Sequence, residues 1–294
     1  MSIRLIVAVL AVVLVSPQTS FTEFPKLGSD LRSRRWICYA PTHFYPEERP
    51  PVYPSVESIE EDLRTIRSAG FDALITYSSD VKDIPRIARK LGFRSILLGV
   101  WDPWDDREQE ASVAAVKENE DQILGLIVGN EGLTSGRYQR EPLCLALRRF
   151  AKLTGKPVGT SEPVDWFLGD GRLATCSDFL AVNTHPYFSG HRVPVDAVRW
   201  TVAAWTALNS SYPNRPVILK EVGLPSAGDE LLNEDVQRIY YESLAHTNVI
   251  FAYFEAFDAT PRFKKGLLEQ SWGLWRADRT PKAIVLGLPW RTSK

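Results

Sequence analysis

Short apolar runs that do not alternate with polar residues recur along the chain, and between them apolar residues fall at helical spacing. Runs of that kind read as strands buried on both faces, the pattern of a parallel sheet covered by helices. The runs are 36–40, 71–77, 94–101, 123–129, 157–161, 179–184, 217–220 and 249–254. After Ser55, the positions Val56, Ile59, Leu63 and Ile66 predict a helix that Gly70 closes, and Ile84 to Leu91 predicts another stopped by Gly92. Further helices are predicted around 106–119, over 138–153, briefly after Ser161, over 195–208, from the cap Asn233 to Ala245, and over 281–288. Eight strand-then-helix units predict a parallel α/β sheet with right-handed crossovers, and eight is the number that closes into a single (β/α)8 TIM barrel. An open doubly wound sheet is the runner-up, but no Gly-x-Gly-x-x-Gly follows the first strand. No linker or composition break marks a second domain, so one barrel is expected over 30–294.

The first residues break the pattern. Arg4 precedes an unbroken apolar stretch from Leu5 to Val15. As a helix that stretch spans roughly 16 Å, short of a bilayer core of about 30 Å. A secretory signal peptide over 1–20 therefore fits better than a membrane anchor, and a secreted or periplasmic location is expected. The 35 Lys and Arg nearly balance the 36 Asp and Glu, which argues against nucleic acid and for a neutral partner. Nine Trp, ten Tyr and thirteen Phe supply flat faces of the kind that stack on sugar rings. The three cysteines, Cys38, Cys144 and Cys176, allow at most one disulfide, and buried thiols are the expected state.

In a barrel the strand ends share one mouth, where ligands bind. The polar residues there are Tyr39, Tyr77, Asp102, Asn130 with Glu131, Ser161 with Glu162, His185 with Tyr187, Glu221, and Glu255 with Asp258. Glu131 and Glu221 stand out because each directly follows a strongly apolar run, and a carboxylate beside a dry core is costly unless something uses it. Strands four and seven lie across the barrel, so the two side chains can converge. A pair of carboxylates in one cleft is what glycoside hydrolysis needs.

Four segments carry a more specific likeness. Ile218-Leu-Lys-Glu-Val-Gly-Leu-Pro-Ser-Ala-Gly228, Gly125-Leu-Ile-Val-Gly-Asn-Glu131, Val182-Asn-Thr-His-Pro-Tyr187, and Phe254-Glu-Ala-Phe-Asp258 with Glu269-Gln-Ser-Trp-Gly-Leu-Trp275 occur in this order. Together they resemble glycoside hydrolase family 17, the β-1,3-glucanase and β-1,3-glucanosyltransferase family, and its bacterial branch most. The resemblance implies a retaining enzyme acting on β-1,3-glucan, with Glu221 as nucleophile and Glu131 as acid/base. It implies that Asn130 donates to the 2-hydroxyl of the reacting sugar and that Tyr187 orients Glu221. Tyr39, Tyr77, His185, Glu255, Lys264 (or Lys265), Glu269 and Trp272 are the further candidates for substrate binding, with Trp101, Trp104, Phe188 and Phe254 as stacking faces.

The likeness has gaps: Leu224 stands where the family signature has Trp or Tyr, Ile75 where Arg is frequent, and Ala259 to Lys264 where an acidic residue and Trp precede Lys. A non-catalytic glucan-binding barrel is the alternative of a different class. A metal-dependent hydrolase is weaker still, since His43 and His185 show no paired spacing. A monomer that acts on a polysaccharide or oligosaccharide, without metal or cofactor, is expected.

Overall fold

The computed structural model describes residues 24–286 and 288; the expected signal peptide lies outside the described residues. The strands are β1 (Trp36–Cys38), β2 (Ala73–Ile75), β3 (Ser95–Val100), β4 (Ile123–Asn130), β5 (Val158–Pro163), β6 (Leu180–Asn183), β7 (Val217–Val222) and β8 (Phe251–Tyr253). Each pairs in parallel with the next, and β8 returns to β1, so the sheet closes as the strand count predicts. The outer helices are α2 (Val56–Ser68), α3 (Asp83–Lys90), α4 (Asp106–Glu118), α5 (Arg140–Thr154), α6 (Val164–Leu168), α7 (Arg172–Thr175), α8 (Pro194–Ser211), α9 (Glu234–Ala245) and α10 (Ala283–Leu286). Two of them start at the caps the sequence announces. Ser55 accepts from the Ser58 N–H at the start of α2, and Asn233 from the Val236 N–H at the start of α9.

Two apolar layers follow from the period-two alternation of strand side chains. Ile37, Leu74, Ile96, Leu98, Val182 and Leu219 pack outward against the helices. Trp36, Cys38, Ile75, Leu97, Ala181 and Ile218 fill the interior. One further helix, α1 (Pro25–Ser33), is not foreseen by the sequence pattern: it sends Leu27 and Leu31 into that interior layer. Asp30 accepts from Ser95 at the start of β3, and Lys26 donates to the Asp121 carbonyl just before β4. The helix therefore plugs the floor, and among the described residues the opposite end of the barrel is the mouth.

The cysteine expectation holds for Cys38 alone, which is a buried free thiol. Cys144 on α5 and Cys176 just after α7 form a disulfide, their Cα atoms 5.5 Å apart. Folding brings these two together between outer helices; nothing in a separation of 32 residues announces it. Closing a loop of that size stabilises the fold by about 2–4 kcal/mol. Reduction, or the Cys144→Ser/Cys176→Ser pair, is expected to lower Tm by roughly 5–10 °C in a thermal melt without changing turnover.

Candidate active site

At both strand ends that carry the paired carboxylates, the sheet slips by one residue. Between β4 and β5 the register runs from Ile127↔Gly159 to Asn130↔Ser161, and between β7 and β8 from Leu219↔Phe251 to Val222↔Tyr253. Each slip inserts one extra residue in β4 or β7, a bulge that lets neighbouring side chains point to the same side. Asn130 and Glu131, and likewise Lys220 and Glu221, can therefore face the axis together. Gly129 has φ +82°, and a Cβ there would lie 2.3 Å from the Tyr138 hydroxyl, so only glycine fits. Glu131 itself has φ +51°, a left-handed conformation that non-glycine residues keep chiefly at functional sites.

The strand carrying Glu221 does not stop where the sequence suggests. β7 runs on to Val222, and Lys220 and Glu221 are buried within it. Glu221 Oε1 accepts from Lys220 Nζ at 2.7 Å and Oε2 from His185 Nε2 at 3.0 Å. Lys220 Nζ also donates to Asn130 Oδ1 at 2.6 Å and stands 4.3 Å from the centre of the Tyr77 ring. Asn183 Nδ2 donates to Glu131 Oε1 at 2.8 Å and to Asn130 Oδ1 at 3.4 Å, while Ser161 Oγ donates to Asn183 Oδ1 at 2.6 Å. Oxygens of Glu131 and Glu221 and a ring nitrogen of His185 all lie within 4.8 Å of one another.

Burial pushes the Glu221 carboxyl up, but the Lys220 charge and the His185 hydrogen bond outweigh it and hold the carboxyl at about 2. Glu221 is therefore ionised at any working pH, and His185 must be the donor. Glu255, after β8, goes the other way. Burial, and then the Glu221 charge, push it up to about 8. The Glu131, His185 and Glu221 donors are close enough to hold a cation, but the Lys220 ammonium already occupies one side of Glu221 and His185 offers it an N–H. That donor set does not suit a metal.

The remaining predicted residues divide. His185, Asn130 and Tyr77 belong to the centre, Tyr77 as the ring beneath Lys220. Tyr39 does not: it is fully buried and its hydroxyl donates to Asp62 on α2, so it braces the wall and cannot meet a sugar. Tyr187 does not orient Glu221; its hydroxyl donates to Asp229 at 3.2 Å, and His185 and Lys220 take the part expected of it. Trp272 is 1% exposed and packs edge-on against His185 and Phe254 and tilted by 36° against Phe188, backing His185 instead of offering a face. Phe188, Trp101 and Trp104 are the exposed aromatic rings at 61%, 42% and 44%, Trp101 with the Arg137 guanidinium over one face at 4.4 Å. Lys264 is exposed, its ammonium 5.3 Å from the Phe263 ring, and it reaches the site only as a charge felt at Glu255. Glu269 is half-buried and makes no side-chain hydrogen bond to the central residues.

Two central residues, Lys220 and Asn183, have no role in the sequence reading. Both sit inside the segments that carry the family likeness, one directly before Glu221 and the other two residues before His185; that adjacency was the available signal. Glu162 is explained as well. It accepts from the N–H groups of Leu133 and Thr134 and from the Thr134 hydroxyl, which ties down the turn that presents Glu131.

Comparison with known proteins bears on the family and the fold. The chain is 24% identical over 255 residues to a glucan 1,3-beta-glucosidase of Arthroderma benhamiae, covering 76% of this chain and 82% of that one. It is 28% identical over 175 residues to the cell surface mannoprotein MP65 of Candida albicans, and 25% identical over 218 residues to a probable beta-glucosidase btgE of Aspergillus fumigatus. It spans only 45% and 38% of the length of these last two. These relatives are fungal and give the bacterial branch no support. Among solved structures, the beta-1,3-glucanosyltransferase of Rhizomucor miehei superposes with a TM-score of 0.72 at 23% identity, covering 85% of this chain and 96% of that one. An endo-laminarinase from Formosa superposes with the same TM-score at 20% identity, covering 86% and 85%. At these identities the two structures speak for the fold. The match that decides the family runs over residues 37–273, from β1 past Trp272, and by it the chain belongs to the BtgE/BtgC glycoside hydrolase domain family.

Proposed function

We propose that this domain is a retaining enzyme of β-1,3-glucan, acting as an endo-glucanase or a glucanosyltransferase, with Glu221 as nucleophile and Glu131 as acid/base. The observation that carries it is the approach of the two carboxylates to within 4.8 Å at the ends of β4 and β7. That is the short spacing of a pair with a covalent intermediate; an inverting pair stands about 6.5–9.5 Å apart to admit water. The division of roles follows from the surroundings. Glu221 is held ionised and oriented at both oxygens, as a nucleophile must be. Glu131 is held at Oε1 by Asn183, and among the described residues no hydrogen bond holds its Oε2, which is left to exchange a proton with the leaving oxygen.

The substrate class rests on the names of the relatives: a glucan 1,3-beta-glucosidase, and a glucanosyltransferase solved in complex with laminaritriose. Asn130, with its Oδ1 occupied by Lys220, turns Nδ2 outward as a donor to the sugar 2-hydroxyl, a contact that strengthens as positive charge develops at the anomeric carbon. Phe188, Trp101 and Trp104 are open to stack on sugar units. Water or a second sugar hydroxyl resolves the glycosyl-enzyme, and the choice between them separates hydrolysis from transfer. Export is supported by the apolar N-terminal stretch, the Cys144–Cys176 disulfide and a cell-surface relative. Among the described residues no helix is long and apolar enough to cross a membrane.

The test is incubation with a defined β-1,3-gluco-oligosaccharide, following the first-formed anomer by NMR and the products by mass. A first-formed β-anomer supports the reading, with products longer than the donor marking transfer and only shorter ones marking hydrolysis. An α-anomer formed first, or no product from folded enzyme, would reject it.

A further inference from the structure

Lys220 has the most unusual setting of any charged side chain in the barrel: 1% exposed, on a strand, with its ammonium at the axis. It sits between the two carboxylates. On one side Nζ contacts Glu221 Oε1 at 2.7 Å; on the other it contacts Asn130 Oδ1 at 2.6 Å, and Asn183 Nδ2 links that same oxygen, at 3.4 Å, to Glu131 Oε1, at 2.8 Å. An unbroken line of hydrogen bonds thus joins nucleophile to acid/base with one positive charge in it.

On the retaining reading above, we propose that Lys220 is a positioning residue with two tasks: it is the fixed counter-charge for a single negative charge that Glu221 and Glu131 carry in turn, and it fixes which end of the Asn130 amide faces the sugar. At the start of the first step the negative charge is on Glu221 and the proton to be donated is on Glu131. When a Glu221 oxygen bonds to the anomeric carbon, the electron pair of the glycosidic C–O bond leaves with the departing oxygen, which takes the proton of Glu131. The negative charge has then moved to Glu131, while Glu221 is a neutral ester. In the second step the acceptor oxygen bonds to the anomeric carbon, its proton goes to Glu131, and the ester electron pair returns to Glu221. The charge of the site is the same throughout, and a fixed ammonium between the two carboxyls stabilises each state without having to move, as a preorganised site does.

The groups that face Glu221 allow this. They are Lys220 on its own strand, His185 after β6, Glu131 after β4, Tyr77 after β2, Cys38 on β1 and Glu255 after β8. Glu255 holds its proton below about 8, and the Tyr77 hydroxyl and Cys38 thiol are pushed well up by burial, so none of the three adds a charge at neutral pH.

The experiment compares Lys220→Met and Lys220→Arg with wild type on a soluble β-1,3-gluco-oligosaccharide, recording kcat and KM separately across pH. Lys220→Met is expected to lose about 100-fold or more in kcat with KM changed only a few-fold, and its acidic limb of kcat/KM to move up by about one pH unit or more. Lys220→Arg keeps the charge, and its limb is expected to stay within roughly 0.3 of wild type even where kcat falls. If Lys220→Met does not melt cooperatively, Lys220→Gln is read in its place, since its amide still donates to Glu221 and Asn130 while lacking the charge. An unmoved limb in the neutral variant, or an equal shift in Lys220→Arg, overturns the proposal. A wild-type enzyme that releases and transfers no sugar would sink the retaining reading itself; an active wild type with an unmoved limb in the variant sinks the role of Lys220 alone.

Discussion

In Glu221→Gln, kcat on a β-1,3-gluco-oligosaccharide is expected to fall by about 10⁴-fold or more, the scale of losing a covalent nucleophile. The amide nearly preserves the shape of the side chain, so the loss reports chemistry and not packing. It also leaves the buried Lys220 ammonium without its counter-charge, and the variant should melt below wild type. Glu131→Gln is expected to behave differently. It removes the proton donor, which is worth about 10²–10⁴-fold on an unactivated glycoside. With an aryl β-glucoside whose phenol is a good leaving group, no donor is needed for the first step. Glu221 then still forms the glycosyl-enzyme, while the second step, lacking its base, stalls. Glu131→Gln should therefore release a burst of phenol close to the enzyme concentration and show a hexose adduct in the intact mass, on the tryptic peptide holding Glu221. Glu221→Gln should show neither. A burst and an adduct in Glu221→Gln, with none in Glu131→Gln, would exchange the two roles.

The barrel was legible because its signal is repeated: eight apolar runs, each followed by a stretch with helical spacing, leave few other topologies. The carboxylate pair was legible for a related reason, since Glu131 and Glu221 each follow an apolar run and an acid in such a place needs a use. What escaped lies below the resolution of pattern. A one-residue register slip in β4 and β7 decides that Lys220 points inward beside Glu221, and no period in the sequence records a bulge. Tyr39 was misassigned because its position at a strand end is the same as that of a cleft residue; only Asp62, arriving from α2, reveals which way the hydroxyl turns. His185 and Tyr187 exchanged parts because they lie two residues apart in a loop whose turn, a short 3-10 segment over Tyr187–Ser189, sends the ring of one inward and the hydroxyl of the other to Asp229. The helix α1 rests on two leucines, too few to make a periodic stretch.

Raising the pH from about 5 to 8 is expected to destabilise the wild-type fold, and Glu255→Gln to remove much of that loss. Glu255 follows β8 and borders a cavity of about 60 Å³ shared with Ala40, His43, Phe257 and Asp258. Burial first, and then the nearby Glu221 charge, keep its proton on until about 8, although the charges of Lys264 and Lys282 pull the other way. In the unfolded chain the same carboxyl releases its proton near 4.5. Between these two values the folded state binds more protons than the unfolded one, so its stability falls as pH rises, and below about 4.5 the contribution is fully present. Full desolvation would make the loss roughly 5 kcal/mol; the carboxyl is only half-buried, and roughly 3 is the better figure. Glu221 has the opposite sign: held at about 2, it contributes stability above 4.5 that is lost as pH falls toward 2. The two together favour a stability maximum near the ordinary carboxyl range, well below neutral. Gln at 255 copies the neutral form at every pH. In thermal melts at pH 5 and pH 8 the gap between the two Tm values should shrink by roughly 6–12 °C in Glu255→Gln relative to wild type. A variant whose two melts track those of wild type would mean that Glu255 is ionised in the fold at neutral pH. Glu221 would then stand beside a second negative charge in the resting site, and the Lys220 ammonium would no longer balance a single one.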